Sequence, residues 1–292
     1  MTVNQTPTPL ATAVICHYNP TLNAYLRHLV CLCVASLQKI PDEALQIFVC
    51  DGSPRPDPFV AESLAIYDNV RYLHAGRQLS FGETYNLGIQ AAETPYVVLL
   101  ANDVLISAKQ VRRLVKELRG DVTCAVPYLN RADYATQISR RWRVPRRSYP
   151  ASMTINVNAF VREALAAIGN VPEALTGCYN DAVIFHRLRQ RGQRIALVNV
   201  GEVDHLRAIT RRIATNLACA QDLAQAAALE PALFAGVQPQ SRNGWARMYA
   251  NASQRRLPGL LWRLLSLLPW KLSEQHGLGY LVAWLEPYLS MR

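Results

Sequence analysis

The chain has 292 residues, half of them hydrophobic and 18% charged, which excludes a disordered or low-complexity protein. Its 31 Lys and Arg outweigh 21 Asp and Glu, for a net charge of +10, and all but four of those cations are arginines, whose planar fork suits phosphate. Such a balance points to an anionic partner: nucleic acid, an acidic membrane surface or a phosphorylated ligand. No apolar run reaches the roughly 18–20 residues of a spanning helix, so an integral membrane protein is not expected. The opening MTVNQTPTPLATAVIC has no basic segment before its apolar stretch, unlike a signal peptide, and residues 1–11 read as a disordered lead. Seven scattered cysteines, mostly inside apolar segments, are expected to be reduced thiols of a cytosolic protein.

In chain order, ATAVICH (11–17) is a short apolar run ended by Asn19-Pro20, a buried strand. Helical spacing follows over 22–39, then a second strand, LQIFVC (45–50), closed by Asp51-Gly52-Ser53-Pro54. A helix near 58–67, the strand VRYLH (70–74), a loop over 75–81 and a helix over 83–92 lead to YVVLLA (96–101), another buried strand. Helix 108–118 and strand VTCAVP (122–127) complete the series. Strands alternating with helices at this spacing predict an α/β fold with a mostly parallel sheet flanked by helices. In such sheets ligands bind beyond the carboxyl ends of the strands, where His17 to Asn19, Asp51 to Ser53 and Asn102-Asp103 fall. Neither a GxGxxG after the first strand nor a GxxxxGK[ST] occurs, which removes the main support for a Rossmann dehydrogenase or a P-loop protein.

The middle differs. RRWRVPRR (140–147) sets five arginines around Trp142 and Pro145. That pattern fits a nucleic-acid patch, a loop closing over a diphosphate, or a solvated loop. Residues 153–168 read as a strand and a helix, 180–191 as a helix, and RIALVNV (194–200) as a strand leading to Asp204-His205. Beyond about 206 the pattern is helical. Segment 255–292 carries Trp262, Trp270, Tyr280, Trp284 and Tyr288 beside Arg255, Arg256, Arg263 and Lys271. Aromatic-rich amphipathic helices with basic flanks lie on anionic lipid, although a helical cap or dimer face is the other reading.

Several stretches together resemble one family. AVICHYNP, VCDGS, FGETYNLGI, LLANDV, GCYNDAVIFHRLRQRGQRIALV and VDHL are similar, in order and spacing, to the motifs of the inverting family-2 glycosyltransferases of the GT-A fold, particularly their rhamnosyltransferase-like bacterial members. The resemblance covers roughly 12–206 and implies a nucleotide-binding half (12–127), an acceptor half (128–206) and a helical C-terminal extension (207–292). It also implies a nucleoside-diphosphate sugar donor of UDP or dTDP type. The acceptor is then a glycan or lipid-linked hydroxyl in cell-surface polysaccharide synthesis, used on the inner face of the cell membrane by a peripheral cytoplasmic enzyme. Nucleic acid is not an expected partner, because no RRM, helix-turn-helix or zinc-finger frame accompanies the basic residues.

The chemistry assigns roles. A departing nucleoside diphosphate needs its charge neutralised, so a divalent metal, Mn²⁺ or Mg²⁺, is expected on Asp103, with His205 as a second ligand because imidazole suits Mn²⁺. Read without the family, Asp103 is a helix N-terminal acid and His205 a structural histidine. An acceptor hydroxyl must lose its proton as it attacks, and the resemblance places that base at Asp181, with Asn180 beside it binding acceptor hydroxyls. Both are also favoured helix-cap residues. By resemblance, Tyr18 and Asn19 border the base pocket, Asp51 accepts from a pyrimidine imide, and Gly52 and Ser53 follow it in the loop. Arg77 and Asn86 reach phosphate or base, and Asn102 a ribose or sugar hydroxyl. Ala101, Cys50 and Asn180 stand where the family carries further acids. This leaves an alternative: a catalytically weakened protein of the same fold, acting as a nucleotide-sugar-binding or scaffolding subunit at the membrane.

Overall fold

The computed structural model describes residues 9–38, 45–130, 137, 146–149, 153–206 and 219–235. Residues 1–8, the 140–145 arginines and the 255–292 segment lie outside the described residues, as do the expectations placed on them, whereas Ala11, expected within the 1–11 lead, opens the first strand. Strands β1 (Ala11–His17), β2 (Leu45–Asp51), β3 (Val70–His74) and β4 (Tyr96–Ala101) alternate with helices α1 (Ala24–Leu37), α2 (Pro58–Leu64) and α3 (Phe81–Ala91). The short β5 (Val104–Leu105), α4 (Ala108–Val115), β6 (Val122–Pro127), β7 (Arg147–Ser148), β8 (Val157–Val161) and α5 (Arg162–Ala167) follow. Last come α6 (Asn180–Gln190), β9 (Arg194–Val198), β10 (Asp204–His205), α7 (Cys219–Leu229) and α8 (Pro231–Phe234).

Eight strands form one sheet in the order β3-β2-β1-β4-β8-β6-β9-β7. The neighbours β1–β2, β2–β3, β1–β4 and β6–β9 are parallel, as the alternation of elements predicts. The departure is β8, which enters antiparallel between β4 and β6, with β7 antiparallel on β9. Both sheet faces are covered, so the central strands are apolar on both sides. On β4, Val98 and Leu100 join one core cluster, with Val30, Val34 and Leu114, while Val97 and Leu99 join the other, with Tyr85, Phe160 and Phe185.

Helix starts follow local chemistry. The Asn23 side chain accepts from the Tyr25 and Leu26 amides at the head of α1. Ser80 with Glu83 and Ser107 with Gln110 close reciprocal caps on α3 and α4. Gly88 lets α3 press onto the sheet: a Cβ there would stand 2.4 Å from Val14 and 2.7 Å from the Cys50 sulfur. Cys50 is therefore core beneath α3, and the acid missing at that position is missing from the interior rather than from a site. The thiols of Cys16, Cys31, Cys33, Cys50 and Cys124 are free. Cys178 corrects the expectation of wholly reduced cysteines, because it is disulfide-bonded.

Candidate active site

Polar residues gather at the carboxyl ends of β1, β2 and β4, where the chain leaves the sheet and must satisfy its own turns. Gly52 ties the loops after these strands together, donating to the His17 carbonyl at 2.9 Å and accepting from the Leu79 amide at 3.1 Å. Asp51 is fully covered; its Oδ1 accepts from the Ser53 amide at 2.8 Å and its Oδ2 from the Tyr72 hydroxyl. That hydroxyl accepts in turn from the Asp57 amide at 2.7 Å, and burial together with the bond to Asp51 pushes its pKa up. The carboxylate of Asp57, also fully buried, takes Arg27 Nε at 2.8 and 3.1 Å and the Asn19 amide at 3.3 Å. Asn19 donates its N–H to Ser53 Oγ at 2.7 Å and accepts from the Asn23 amide at 2.7 Å. A buried charge is tolerable only when paired and hydrogen-bonded, and this network achieves that.

Three of the residues expected to bind the nucleotide have structural bonds of their own. Asn19 and Asp51, expected against a nucleotide base, also shape the loop that Ser53 and Gly52 belong to. Asn86 is likewise engaged: its amide nitrogen donates to the Val171 carbonyl at 2.9 Å and to Glu173 at 2.8 Å, and its oxygen accepts from the Val171 amide at 3.1 Å. It pins α3 to the 171–173 loop. Tyr18 remains half-buried at the rim, its hydroxyl 3.4 Å from Gln78 Nε2. Arg77 is exposed and holds Glu83 at 2.8 Å, so the same acid that caps α3 anchors the loop after β3. Arg27, Asp57 and Tyr72 went unnoticed in the sequence, because a charge pair across elements has no spacing signature.

Between β1 and β4, the Asn102 amide lies 3.2 Å from His17 Nδ1, both side chains buried. Burial lowers the His17 pKa, outweighing the raising influence of Asp51 and Asp57, so the ring stays neutral near pH 7. His17 Nε2 is buried and has no hydrogen-bond partner among the described residues.

Asp103 follows at once, with β5 directly behind it. Pairing of β10 with β5 sets His205 opposite Val104 and brings its Nε2 to 3.5 Å from Asp103 Oδ1, with both side chains about nine-tenths or more buried. Asn130 holds this hairpin, accepting from the His205 amide at 2.8 Å and donating to Asp204 at 2.7 Å. The Leu206 amide donates to the Asp103 carbonyl at 2.9 Å. A 3.5 Å gap is long for a hydrogen bond but suits two donors facing one cation. The donor set, one carboxylate oxygen and one imidazole, fits Mn²⁺-like ions. Among the described residues no group of three or more His, Cys, Asp or Glu that could hold a metal stands together, so Asp103 and His205 are the two side chains here with the chemistry to hold one.

Asp181 sits in the first turn of α6, half-buried, with Oδ1 accepting from the Ala182 amide at 2.8 Å. A carboxylate is favourable at a helix N-terminus. Because α6 runs back against β9, which is parallel to β6, its N-terminus faces the sheet's carboxyl edge, as the Asp103 loop does. Asn180 is 1% exposed, and neither its amide nitrogen nor its oxygen has a partner among the described residues. The residue before it, Tyr179, adopts the left-handed conformation at φ 66°.

Comparison with known proteins gives the family and the fold. The family model described as "Glycosyl transferase family 2" matches residues 12–168. No curated protein matches the sequence. Among solved structures, the mannosyltransferase PcManGT from Pyrobaculum calidifontis, in complex with GDP-Man and Mn²⁺, is 16% identical, with a TM-score of 0.55 over 96% of this chain and 82% of that one. GalNAc-T7 with UDP, GalNAc and Mn²⁺ is 15% identical, with a TM-score of 0.53 over 69% of this chain; the chain spans 44% of its length. At these identities the likeness is one of fold: the sheet and its helices are those of the GT-A class.

Proposed function

The chain belongs to glycosyl transferase family 2, and from that premise we propose that it transfers a sugar, with inversion, from a nucleoside-diphosphate donor to a hydroxyl acceptor in a metal-dependent reaction. The observation that carries this reading is the buried pair Asp103 and His205, 3.5 Å apart at the carboxyl edge of the sheet. A divalent cation, when bound, offsets the negative charge that grows on the departing diphosphate. Asp103 and His205 hold that ion, and Asn102, fixed by His17, binds a ribose or sugar hydroxyl beside it. Tyr18 and Arg77 stand at the rim, where Tyr18 borders the base and Arg77 reaches a phosphate. On the acceptor side Asp181 takes the proton from the attacking hydroxyl, and the unpartnered Asn180 amide orients it.

The neighbouring structures with UDP or GDP-Man and Mn²⁺ support a nucleotide donor of this kind. The aromatic and basic residues of 255–292 support contact with anionic lipid and hence a lipid-linked acceptor in surface-polysaccharide synthesis. Among the described residues no helix is long and apolar enough to cross a membrane. The test is calorimetric titration of UDP, dTDP and GDP with Mn²⁺, Mg²⁺ or chelator, paired with nucleoside-diphosphate release from the matching sugars. One nucleotide binding tightly only with metal, and losing that metal dependence in Asp103→Ala, is the expected result. Equal binding by Asp103→Ala in Mn²⁺ overturns the metal assignment.

A further inference from the structure

The loop that presents the proposed base is fastened from outside the matched family region. Asp222, on α7, is fully buried, and its carboxylate accepts four hydrogen bonds from three successive residues. Oδ1 takes the Thr176 amide at 2.8 Å; Oδ2 takes the Thr176 hydroxyl at 3.0 Å, the Gly177 amide at 3.1 Å and the Cys178 amide at 2.8 Å. Three consecutive N–H groups converging on one point form an anion-binding concavity, and here the anion is a side chain of the protein itself. The next residue, Tyr179, stands at φ 66°, a conformation uncommon for a non-glycine residue, and its ring packs edge-on against Phe234 of α8 at 5.5 Å. Asn180 and Asp181 follow directly.

The two helices are seated on α6 by more than this carboxylate. Leu223, Ala226 and Phe234 pack with Leu175 and Val183, and Glu230, between α7 and α8, pairs with Arg187 on α6 at 2.5 Å. The loop at 176–179 and the helix it opens are thus gripped at both ends by the same two helices. Charge-assisted bonds to a buried carboxylate are the stronger kind, so this contact, beside the disulfide of Cys178, helps to set where the first turn of α6 begins.

We propose that Asp222 is the positioning residue of the acceptor side: it sets the 176–178 backbone, through it the left-handed turn at Tyr179, and so the place from which Asp181 meets the acceptor hydroxyl. The proposal rests on the reading of Asp181 as the base. It separates two functions in space, because donor and metal groups hang on loops that Asp222 does not touch, and only the proton-accepting group depends on α7.

The test uses the full chain and three variants, Asp222→Ala, Asp222→Asn and Asp181→Asn, with the nucleotide and sugar found in the titrations above. Asp222→Ala is expected to lower kcat roughly 10–100-fold, as small misplacements of a reacting group do, while the donor KM and the nucleoside-diphosphate Kd stay within about twofold of wild type. Amide exchange should accelerate at 176–178 and not in β1–β4. Added formate, which fits the vacated concavity, should restore turnover to Asp222→Ala and not to Asp181→Asn. If Asp222→Ala does not fold, Asp222→Asn, which keeps the volume and loses the charge, carries the same comparison. Unchanged kcat in a variant whose 176–178 amides exchange faster overturns the proposal alone. Full activity in Asp181→Asn, or no turnover of any donor by the wild type, overturns the reading beneath it.

Discussion

The donor-side loops and the acceptor-side loop are both held by buried carboxylates, yet they are built on different plans. Around β1 and β2, Asp51 and Asp57 bind residues that all lie between Asn19 and Tyr72, so the cradle is assembled from neighbouring β-α units. At 176–181 the holding carboxylate comes from Asp222 and the packing ring from Phe234, well past the matched family region. The loops proposed for the donor are therefore held from within the β-α units, while the turn proposed for the acceptor side is held by α7 and α8. Donor recognition and acceptor presentation are then separable, and variants on each side should fail differently.

The largest expected effect is on the acceptor side. Asp181→Asn should reduce transfer by about 10²–10⁴-fold, the usual range for removing a general base, with nucleoside-diphosphate affinity near wild type. Steady-state rates beside calorimetric Kd values check it, and a parallel loss of both would join the two sides. On the donor side, Arg27→Leu strips the partner from a fully buried Asp57, and losing one member of a buried pair costs about 3–5 kcal/mol. Urea unfolding should show this as a lower midpoint, with the nucleotide Kd weakened in the fraction that remains folded. A neutral result would mean that the cradle does not depend on its charge pair.

A smaller effect concerns pH. Burial holds the His17 pKa below its usual 6.5, so the folded ring stays neutral while the unfolded ring gains a proton as pH falls through about 6.5. The stability that His17 contributes is present above that value and is lost as pH drops below it, at no more than about 1.4 kcal/mol per pH unit. Melting temperatures between pH 7.5 and 5 should fall less steeply in His17→Gln; an unchanged slope sinks the assignment. Smallest of all is the rim: Arg77→Ala removes an exposed ion pair with Glu83 and should change stability by less than about 1 kcal/mol. Any effect of that variant then belongs to donor binding, read as a raised KM at constant kcat.

Much of this was legible beforehand, for identifiable reasons. The spans 11–17, 70–74, 96–101 and 122–127 coincide with β1, β3, β4 and β6, because a short apolar run between turn residues has few other places to go. The direction of β8 was not legible: Val157 to Val161 is buried on both faces, as a parallel strand would be, and nothing in a side-chain pattern records which way a strand runs. Asp103, Asp181 and His205 stand out in the sequence by their motifs. Asn86 and Asn19 stand out by the same means, and their structural bonds had no sequence signal, since an amide that builds a loop and one that binds a ligand look alike. Asn130 and Asp222 carried no local pattern, because their bonds reach loops more than forty residues away.

The antiparallel strand also has a bearing on how the chain is made. β4 lies in the middle of the finished sheet, but its partner on one side, β8, pairs Tyr96 with Val161 and so is synthesised much later. At about 5–20 residues per second, roughly 3–13 s pass between the two emerging from a ribosome. During that interval Val97 to Leu100 face outward with unpaired backbone groups, an edge that invites pairing with another chain. A fragment ending before residue 157 would hold its first four strands and keep that edge open permanently, so it should aggregate where the longer chain does not. The strand that joins the two halves of the sheet is also the one that ends the nascent chain's exposure to its neighbours.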